Sequence, residues 1–427
     1  MDDKLKKYLE ELNTPHEALA QARERALRIK RTEQKRRRKW AISFVAAAVI
    51  CLFILSIRVS PTIAYAVGKV PGLQTIVELI TYNKGFEDVL EHGYNEKIYA
   101  TTEQADIKAV IEEVVADETG MFIMYRLSSE QDLRHYKDMQ IEVFQNGEQV
   151  KAAVTYSNFI DEETYEFANT IEIASSEGMD YSQPNFEVHF KLKDETIHVP
   201  FTLKNEIKKA KVYTLNEQLE IEGQRFTVNE VRISPLRVGI EISIDPMNDK
   251  RILSFNSLEL LDENKEVWGK ISNGISGAGS MDEHTMTHYL QSNYFREPKS
   301  LTLKIAEVEA LPKGEDYIEV DFEKQQVVFA PSFIDLSKVE VYPMQVRVQY
   351  KPGNMKHHRQ LFGNAVDATG EQPSMRSSSM SDMEDNHHEA TISYDLDNVQ
   401  NPIKIYFSSY PTYLNGTAEV TIPLQVE

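Results

Sequence analysis

The sequence predicts a mostly β protein, in which tandem two-sheet sandwiches follow a helical tail and one transmembrane helix. Three observations predict it. From about residue 98 onward, apolar and polar residues alternate, the pattern of strands with one buried and one wet face. Near the N-terminus one run of 17 residues, Ala41–Ile57, carries no charge. The charge is also lopsided: residues 1–39 hold 13 Lys and Arg against 7 Asp and Glu, a net of +6, so the other residues carry −26 for the chain to total −20.

Residues 1–39 read as a basic helical tail. Leu5, Leu9 and Leu12 share one face of a first helix. Thr14, Pro15 and Glu17 then have the form of an N-cap, a first-turn proline and the far end of a capping box, which start a second helix. Its apolar face is thin, with Leu19, Ala20, Ala26 and Leu27. A tail of this size buries no core of its own. Two readings stay open: a basic stub that only sets topology, or a helical hairpin whose leucines lie on a cytoplasmic partner.

Residues 40–58 read as the membrane helix. Ten of the 17 uncharged positions are Leu, Ile, Val or Phe, which favours insertion into lipid by about 3–6 kcal/mol. Trp40 suits an interfacial anchor, and Arg58 can snorkel at the far end. Arg36, Arg37, Arg38 and Lys39 abut the near side. The positive-inside rule therefore puts the tail in the cytoplasm and everything beyond about residue 60 outside the cell. Ala64-Tyr65-Ala66 has the form of a cleavage site, but nearly 40 residues precede the apolar core, long for a signal peptide, so a retained anchor is expected. Cys51 is the only cysteine, so no intramolecular disulfide is possible.

Residues 59–97 read as juxtamembrane helices. Leu73, Ile76, Val77 and Ile80 form one stripe, and Phe86, Val89 and Leu90 a second short helix packed on the first β domain or lying on the headgroups. Beyond them one pattern recurs three times. Each unit has an early alternating strand: 121–125, 238–244, and 341–350. Each then has a strand with a polar turn: 141–150, 258–267, and 361–372. Each closes with an alternating hairpin: 186–203, 301–322, and 403–424. The last two hairpins align without a gap, Leu301, Leu303, Ile318 and Val320 falling opposite Ile403, Ile405, Val420 and Ile422. Units of this size match an immunoglobulin-like sandwich. The expected domains are 98–205, 206–330, and 331–427, the last being either a third sandwich or an extension of the second. Within it the polar stretch 351–390 reads as a long mobile loop.

The chain shows no Walker loop, dinucleotide fingerprint, H-E-x-x-H or G-x-S-x-G, and no enzyme activity is expected. The Gly/Ser run Gly274–Ser280 lacks the following long helix of a phosphate cradle and reads as a loop. Met355, His357, His358, Met375, Met380, Met383, His387 and His388 are metal-ligand types. A loop so polar would lose much entropy in closing round an ion, so neither metal nor cofactor is expected. The acidic body argues against direct nucleic-acid binding.

The stretches SPTIAYAVGKVPGLQTIVELI (60–80), KGFEDVLEHGYNEKI (84–98) and VIEEVVADETGMFIMYRL (110–127) resemble a domain-of-unknown-function family of Gram-positive, Bacillus-like membrane proteins. The resemblance implies a short cytoplasmic head, one span and an extracellular β region, often with an immunoglobulin-like C-terminal domain. Some members of that family are regarded as anti-sigma factors for extracytoplasmic-function sigma factors. It therefore implies a sigma factor held by the tail, through Leu5, Leu9, Leu12, Leu19 and Leu27, and an unidentified ligand or protein outside. The chain lacks the His and paired Cys of the zinc-binding head of the best-understood anti-sigma factors. The alternative is a non-signalling envelope protein whose β domains bind wall polymer or a neighbouring protein.

Overall fold

A computed structural model describes residues 84–424, apart from 105, 158–159, 161–162, 194, 269–275, 281–283, 335–337, 352–359, 384–386 and 398. The tail, the apolar run 41–57 and the helix expected at 73–80 lie outside the described residues. Among the described residues no helix is long and apolar enough to cross a membrane.

The described chain opens with helix α1 (Lys84–Glu91). Gly93, at φ +61°, ends it: its N–H reaches Leu90 O at 3.0 Å and that of Tyr94 reaches Val89 O at 3.0 Å, a Schellman closure. Apart from one 3-10 turn, Leu133–Tyr136, the regular structure of the described residues after it is antiparallel β. The first unit contains β1 (Glu96–Gln104), β2 (Ile107–Asp117), β3 (Gly120–Ser129), β4 (Gln140–Gln145), β5 (Glu148–Gln149), β6 (Ala153–Tyr156), β7 (Glu166–Ala174), β8 (Asn185–Lys191) and β9 (Thr196–Thr202). Its two sheets, β1-β2-β3-β7-β6 and β5-β4-β8-β9, face each other across a core that includes Ile111, Ile123, Tyr125, Val143, Val188 and Val199. The alternation read from the sequence is what fills that core. On β8, Phe186, Val188 and Phe190 point in, while Glu187, His189 and Lys191 point out.

The second unit contains β10 (Lys211–Ile221), β11 (Gln224–Ile233), β12 (Arg237–Ile244), β13 (Lys250–Asp262), β14 (Val267–Trp268), β15 (Ser276–Ser280), β16 (Thr285–Gln291) and β17 (Leu301–Pro312). Its sheets are β10-β11-β12-β16-β15 and β14-β13-β17-β26, where β26 (Ala418–Ile422) is the last strand of the chain. Strand for strand this is the order of the first unit, with β26 standing where β9 would. The Gly/Ser run expected as a loop supplies edge strand β15, paired with β16 from Ser276 to Ser280.

The third unit contains β18 (Tyr317–Asp321), β19 (Gln326–Phe329), β20 (Val339–Tyr342), β21 (Gln345–Tyr350), β22 (Phe362–Val366), β23 (Met375–Asp382), β24 (His388–Tyr394) and β25 (Ile403–Phe407). Its sheets are β19-β18-β25-β22 and β20-β21-β24-β23, around a core with Ile318, Val346, Ile392, Phe362 and Ile405. The single strand expected over 341–350 is therefore two strands broken at Pro343 and Met344.

Three expectations are corrected here. The segments 301–322 and 403–424 are not hairpins. β17 pairs with β26, Leu301 facing Ile422 and Leu303 facing Val420, while β18 pairs with β25, Ile318 facing Ile405 and Val320 facing Ile403. The segments run antiparallel in one register at both ends, so each chain segment leaves one sandwich and finishes in the other. The boundary expected at 330/331 accordingly fails in both directions, since β18 and β19 belong to the third core and β26 to the second. Finally, the stretch 351–390 is not one loop: it contains β22, β23 and the start of β24. β23 (MRSSSMSD) is an edge strand whose residues are almost all exposed, so it carries no apolar alternation to read.

Candidate functional site

The residues with the most unusual surroundings meet where α1, the first sandwich and the second sandwich touch. α1 buries Phe86 and Val89 against Val115 of β2, Met124 of β3 and Leu236 from the β11–β12 turn, with Phe122, Tyr94 and Phe295 around them. β2 and β3 are thus apolar on both faces here. Val114 and Ile123 fill the sandwich core, while Val115 and Met124 serve the helix. Gly85 is needed for this approach, because a Cβ there would sit 2.5 Å from Ser292 O and 2.8 Å from Ser292 N.

Polar bonds clasp the same joint. Asp88 on α1 is buried, and the guanidinium of Arg296, from the segment after β16, forks onto it, with Nε 2.9 Å from Oδ2. Arg296 also lies 5.4 Å over the Trp268 ring and 3.7 Å from Glu91. The His92 ring stacks on Phe295 at 5.0 Å. The Tyr94 hydroxyl donates to Ala116 O at 2.7 Å and accepts Lys208 N–H at 3.0 Å, and burial pushes its pKa up to about 12. Ala210 N–H, in the linker between the sandwiches, donates to Glu118 at 2.9 Å.

Asp117 is wholly buried and accepts Leu236 N–H at 2.8 Å and both the N–H and hydroxyl of Thr119 at 2.7 Å. Burial raises its pKa above the ordinary carboxylate value, against the pull of those hydrogen bonds. Beside it opens a polar cleft of about 420 Å³ between the two sandwiches. Glu118, Glu177, Glu230 and Glu241 rim it. In its wall Arg237 is nearly buried, 5.1 Å over the Tyr289 ring and 3.7 Å from Glu172. Four carboxylates around two guanidiniums, one of them Arg232 already held by Glu230 at 3.0 Å, suit a cationic or hydroxyl-rich ligand better than an anionic one.

Two family models match the chain. Residues 34–129 match a domain of unknown function (DUF4179), and residues 210–329 a family of unknown function (DUF5643). The first match runs from the basic flank of the apolar run through α1 to the end of β3; the second covers β10 to β19. No curated protein matches the chain. Among solved structures, the conserved domain protein from Bacillus anthracis is similar over 78% of this chain and 92% of its own, at 12% identity and a TM-score of 0.35. A marsupial T cell receptor is similar over 71% of this chain and 96% of its own, at 9% identity and a TM-score of 0.12. Likenesses this slight carry no argument about this chain.

Of the residues singled out from sequence, Leu5, Leu9, Leu12, Leu19, Leu27 and Arg36, Arg37, Arg38 and Lys39 lie outside the described residues, as do Met355, His357 and His358. The Met/His set is only partly gathered. Met380 accepts the Tyr350 hydroxyl at 3.2 Å, and the Tyr350 ring meets His388 edge-on at 5.8 Å. His388 lies 3.2 Å from Asp382, whereas Met375 sits at the other end of β23, opposite Tyr394. Sequence reasoning missed the joint, because Leu236, Phe295 and Arg296 lie far along the chain from α1. It also passed over Glu187, His189 and His198, on the sheet of the first sandwich that faces away from α1. Among the described residues this is the one grouping with metal-ligand spacing.

Proposed function

We propose that the chain is a membrane-anchored sensor or regulator whose β region lies outside the cell and whose basic tail holds a cytoplasmic partner. One observation carries this reading. α1, the described element nearest in sequence to the apolar run 41–57, is clasped at once by the first sandwich through Val115 and Met124 and by the second through Leu236 and Arg296. A ligand or stress that shifted one sandwich against the other would then disturb α1, and a helix held by both sandwiches is placed to relay such a shift. The first family match spans the apolar run, α1 and its seat on β2 and β3 in one stretch, which supports treating the anchor and the first-sandwich side of the joint together.

The strand orders support an immunoglobulin-like reading of the first two sandwiches. β2-β3-β7-β6 facing β4-β8-β9 is the four-over-three arrangement of that class, with β1 and β5 as additions. The resemblance to families with anti-sigma members makes an extracytoplasmic-function sigma factor the partner proposed for the tail. Replacing Leu9 and Leu27 with Asp in the full chain should abolish co-purification of a cytoplasmic sigma factor while membrane insertion is unchanged. Continued co-purification, or an intact tail that retrieves only anionic lipid, would overturn this reading. A second reading is favoured by the acidic cleft: a non-signalling envelope protein that binds a polymer or partner between its first two sandwiches.

A further inference from the structure

The hairpin β8–β9 carries an arrangement that nothing else in the fold requires. Its inward residues, Phe186, Val188 and Phe190 with Ile197, Val199 and Phe201, fill the core of the first sandwich. Its outward residues bring together two imidazoles and a carboxylate. His189 and His198 are direct cross-strand partners, with ring centroids 4.1 Å apart. Glu187, two residues before His189 on the same face, places Oε1 3.0 Å from His198 Nδ1 and 3.4 Å from His189 Nε2. One donor atom of each residue lies within 4.8 Å of the other two.

We propose that Glu187, His189 and His198 bind a borderline divalent transition cation: zinc(II), nickel(II) or copper(II). Imidazole nitrogens with one carboxylate are the donor set such ions prefer over calcium or magnesium, which take oxygen ligands. Around a tetrahedral zinc with bonds of about 2.0–2.1 Å, donor atoms lie about 3.3 Å apart. The two nitrogen–oxygen separations, 3.0 and 3.4 Å, straddle that value. The donor nitrogens of the two imidazoles lie within 4.8 Å of each other, and the His198 side chain is half exposed.

Two further observations point to a ligand. His189 Nε2 is buried and makes no hydrogen bond, with the Glu187 Oε1 of its ion pair 3.4 Å away. That is a costly condition for a ring nitrogen unless a ligand satisfies it. The ring is also held in place rather than free to turn away: Phe144 of β4 stacks on it at 4.1 Å and 27°. Lys191, on the same face of β8, is engaged by Glu142 at 2.6 Å. All three donors stand on adjacent strands paired from Asn185 to Lys191, and β9 is tied to β1 by Thr102, whose hydroxyl donates to His198 O at 2.7 Å. Binding therefore orders no loop, which removes the entropy that argued against a metal among the polar Met/His residues. Three protein donors are one fewer than a closed structural zinc site uses, so one coordination position is left for water or a ligand group.

The test uses the untagged full chain in detergent micelles, stripped with chelator and titrated with zinc chloride by calorimetry, and with cobalt(II) followed by its visible absorption. The expected result is one equivalent of zinc and a cobalt spectrum of low-coordinate type. Both should be lost in His198→Ala, whose side chain is outside the core, and in Glu187→Gln. The double variant His387→Ala/His388→Ala should keep both. Wild-type protein that takes up no zinc, or that single equivalent surviving in His198→Ala and Glu187→Gln, overturns the proposal, as does its loss in the His387/His388 variant alone. A circular dichroism spectrum of His198→Ala equal to wild type separates loss of the site from loss of the fold.

Discussion

The carboxylate of Asp117 accepts the backbone N–H of Leu236 at 2.8 Å, and both residues are buried. The bond joins the end of β2 in the first sandwich to the β11–β12 turn of the second, and the β2–β3 and β11–β12 connections occupy equivalent places in the two strand orders. Because burial holds the Asp117 pKa above its unfolded value, its ionisation costs stability as pH rises between those two values. The stability it contributes is full only below that interval. Asp117→Asn cannot ionise, but it turns one of the two acceptor oxygens, Oδ1 for Thr119 and Oδ2 for Leu236, into an NH2 donor. Its melting temperature relative to the wild type should improve as pH rises above the unfolded value of about 3.8, because only the wild type then has a buried carboxyl to ionise. Asp117→Ala leaves those N–H groups unpaired and should cost about 1–3 kcal/mol. Melting curves from about pH 4 upward decide the matter, and a difference between Asn and wild type that stays flat with pH would refute the assignment.

A second prediction concerns the Asp88–Arg296 pair. Removing one partner of a buried pair costs about 3–5 kcal/mol, but the Arg296 side chain is 45% exposed, so water screens much of that. Arg296→Ala should lower stability by about 1–2 kcal/mol. Arg296→Lys, lacking the planar fork, should recover only part of it. The local sign is hydrogen exchange over Lys84–Glu91, which should quicken in Arg296→Ala while the β2 and β3 amides stay protected. Unchanged exchange in α1 would mean that the ion pair does not hold the helix.

Much of this architecture is legible in the sequence, and the reasons for the rest are physical. Strict alternation at 238–244 and 186–190 gives β12 and β8 directly, because one face of each fills a core. The recurrence between the first two units is likewise real, since β3 and β4 correspond to β12 and β13 in sheet order. Alternation does not say which strand a strand pairs with. Leu301, Leu303, Ile318 and Val320 have the same inward pattern whether they close a hairpin or run between two sandwiches. The joint is opaque for a similar reason: Phe86 and Val89 announce an apolar helix face, and nothing local announces Leu236. The His189–His198 pair, by contrast, can be read from FEVHFKLKDETIHVPFTL once the turn after Leu192 is placed, because both fall on outward positions at matching distances from it.

The orientation read from Arg36, Arg37, Arg38 and Lys39 gives a third prediction. A reporter active only outside the cell should work when fused after residue 100 and fail when fused at residue 30. Replacing those four residues with Gln should weaken that preference. The opposite pattern of activity would put the sandwiches in the cytoplasm and end the proposal of an extracytoplasmic sensor.

The exchange of strands between the second and third sandwiches makes the sharpest prediction. Ile422 lies in the last strand of the chain yet packs in the same core as Trp268, Phe226 and Leu303. Val320 follows β17 at a short distance in sequence yet packs with Val346, Ile392 and Ile405 of the third core. An aspartate in either core buries an unpaired charge and should cost more than about 4 kcal/mol. In a Trp40→Phe background, where Trp268 is the only indole, Ile422→Asp should shift the emission to the red while amides at Val346 and Ile392 stay protected from exchange. Val320→Asp should do the reverse, leaving the Trp268 emission in place and exposing those amides. If 301–322 and 403–424 were hairpins, each closing its own unit, the two variants would trade results: Val320→Asp would redden Trp268 and Ile422→Asp would not. The pair of measurements therefore separates a crossed from an uncrossed chain without any further structure.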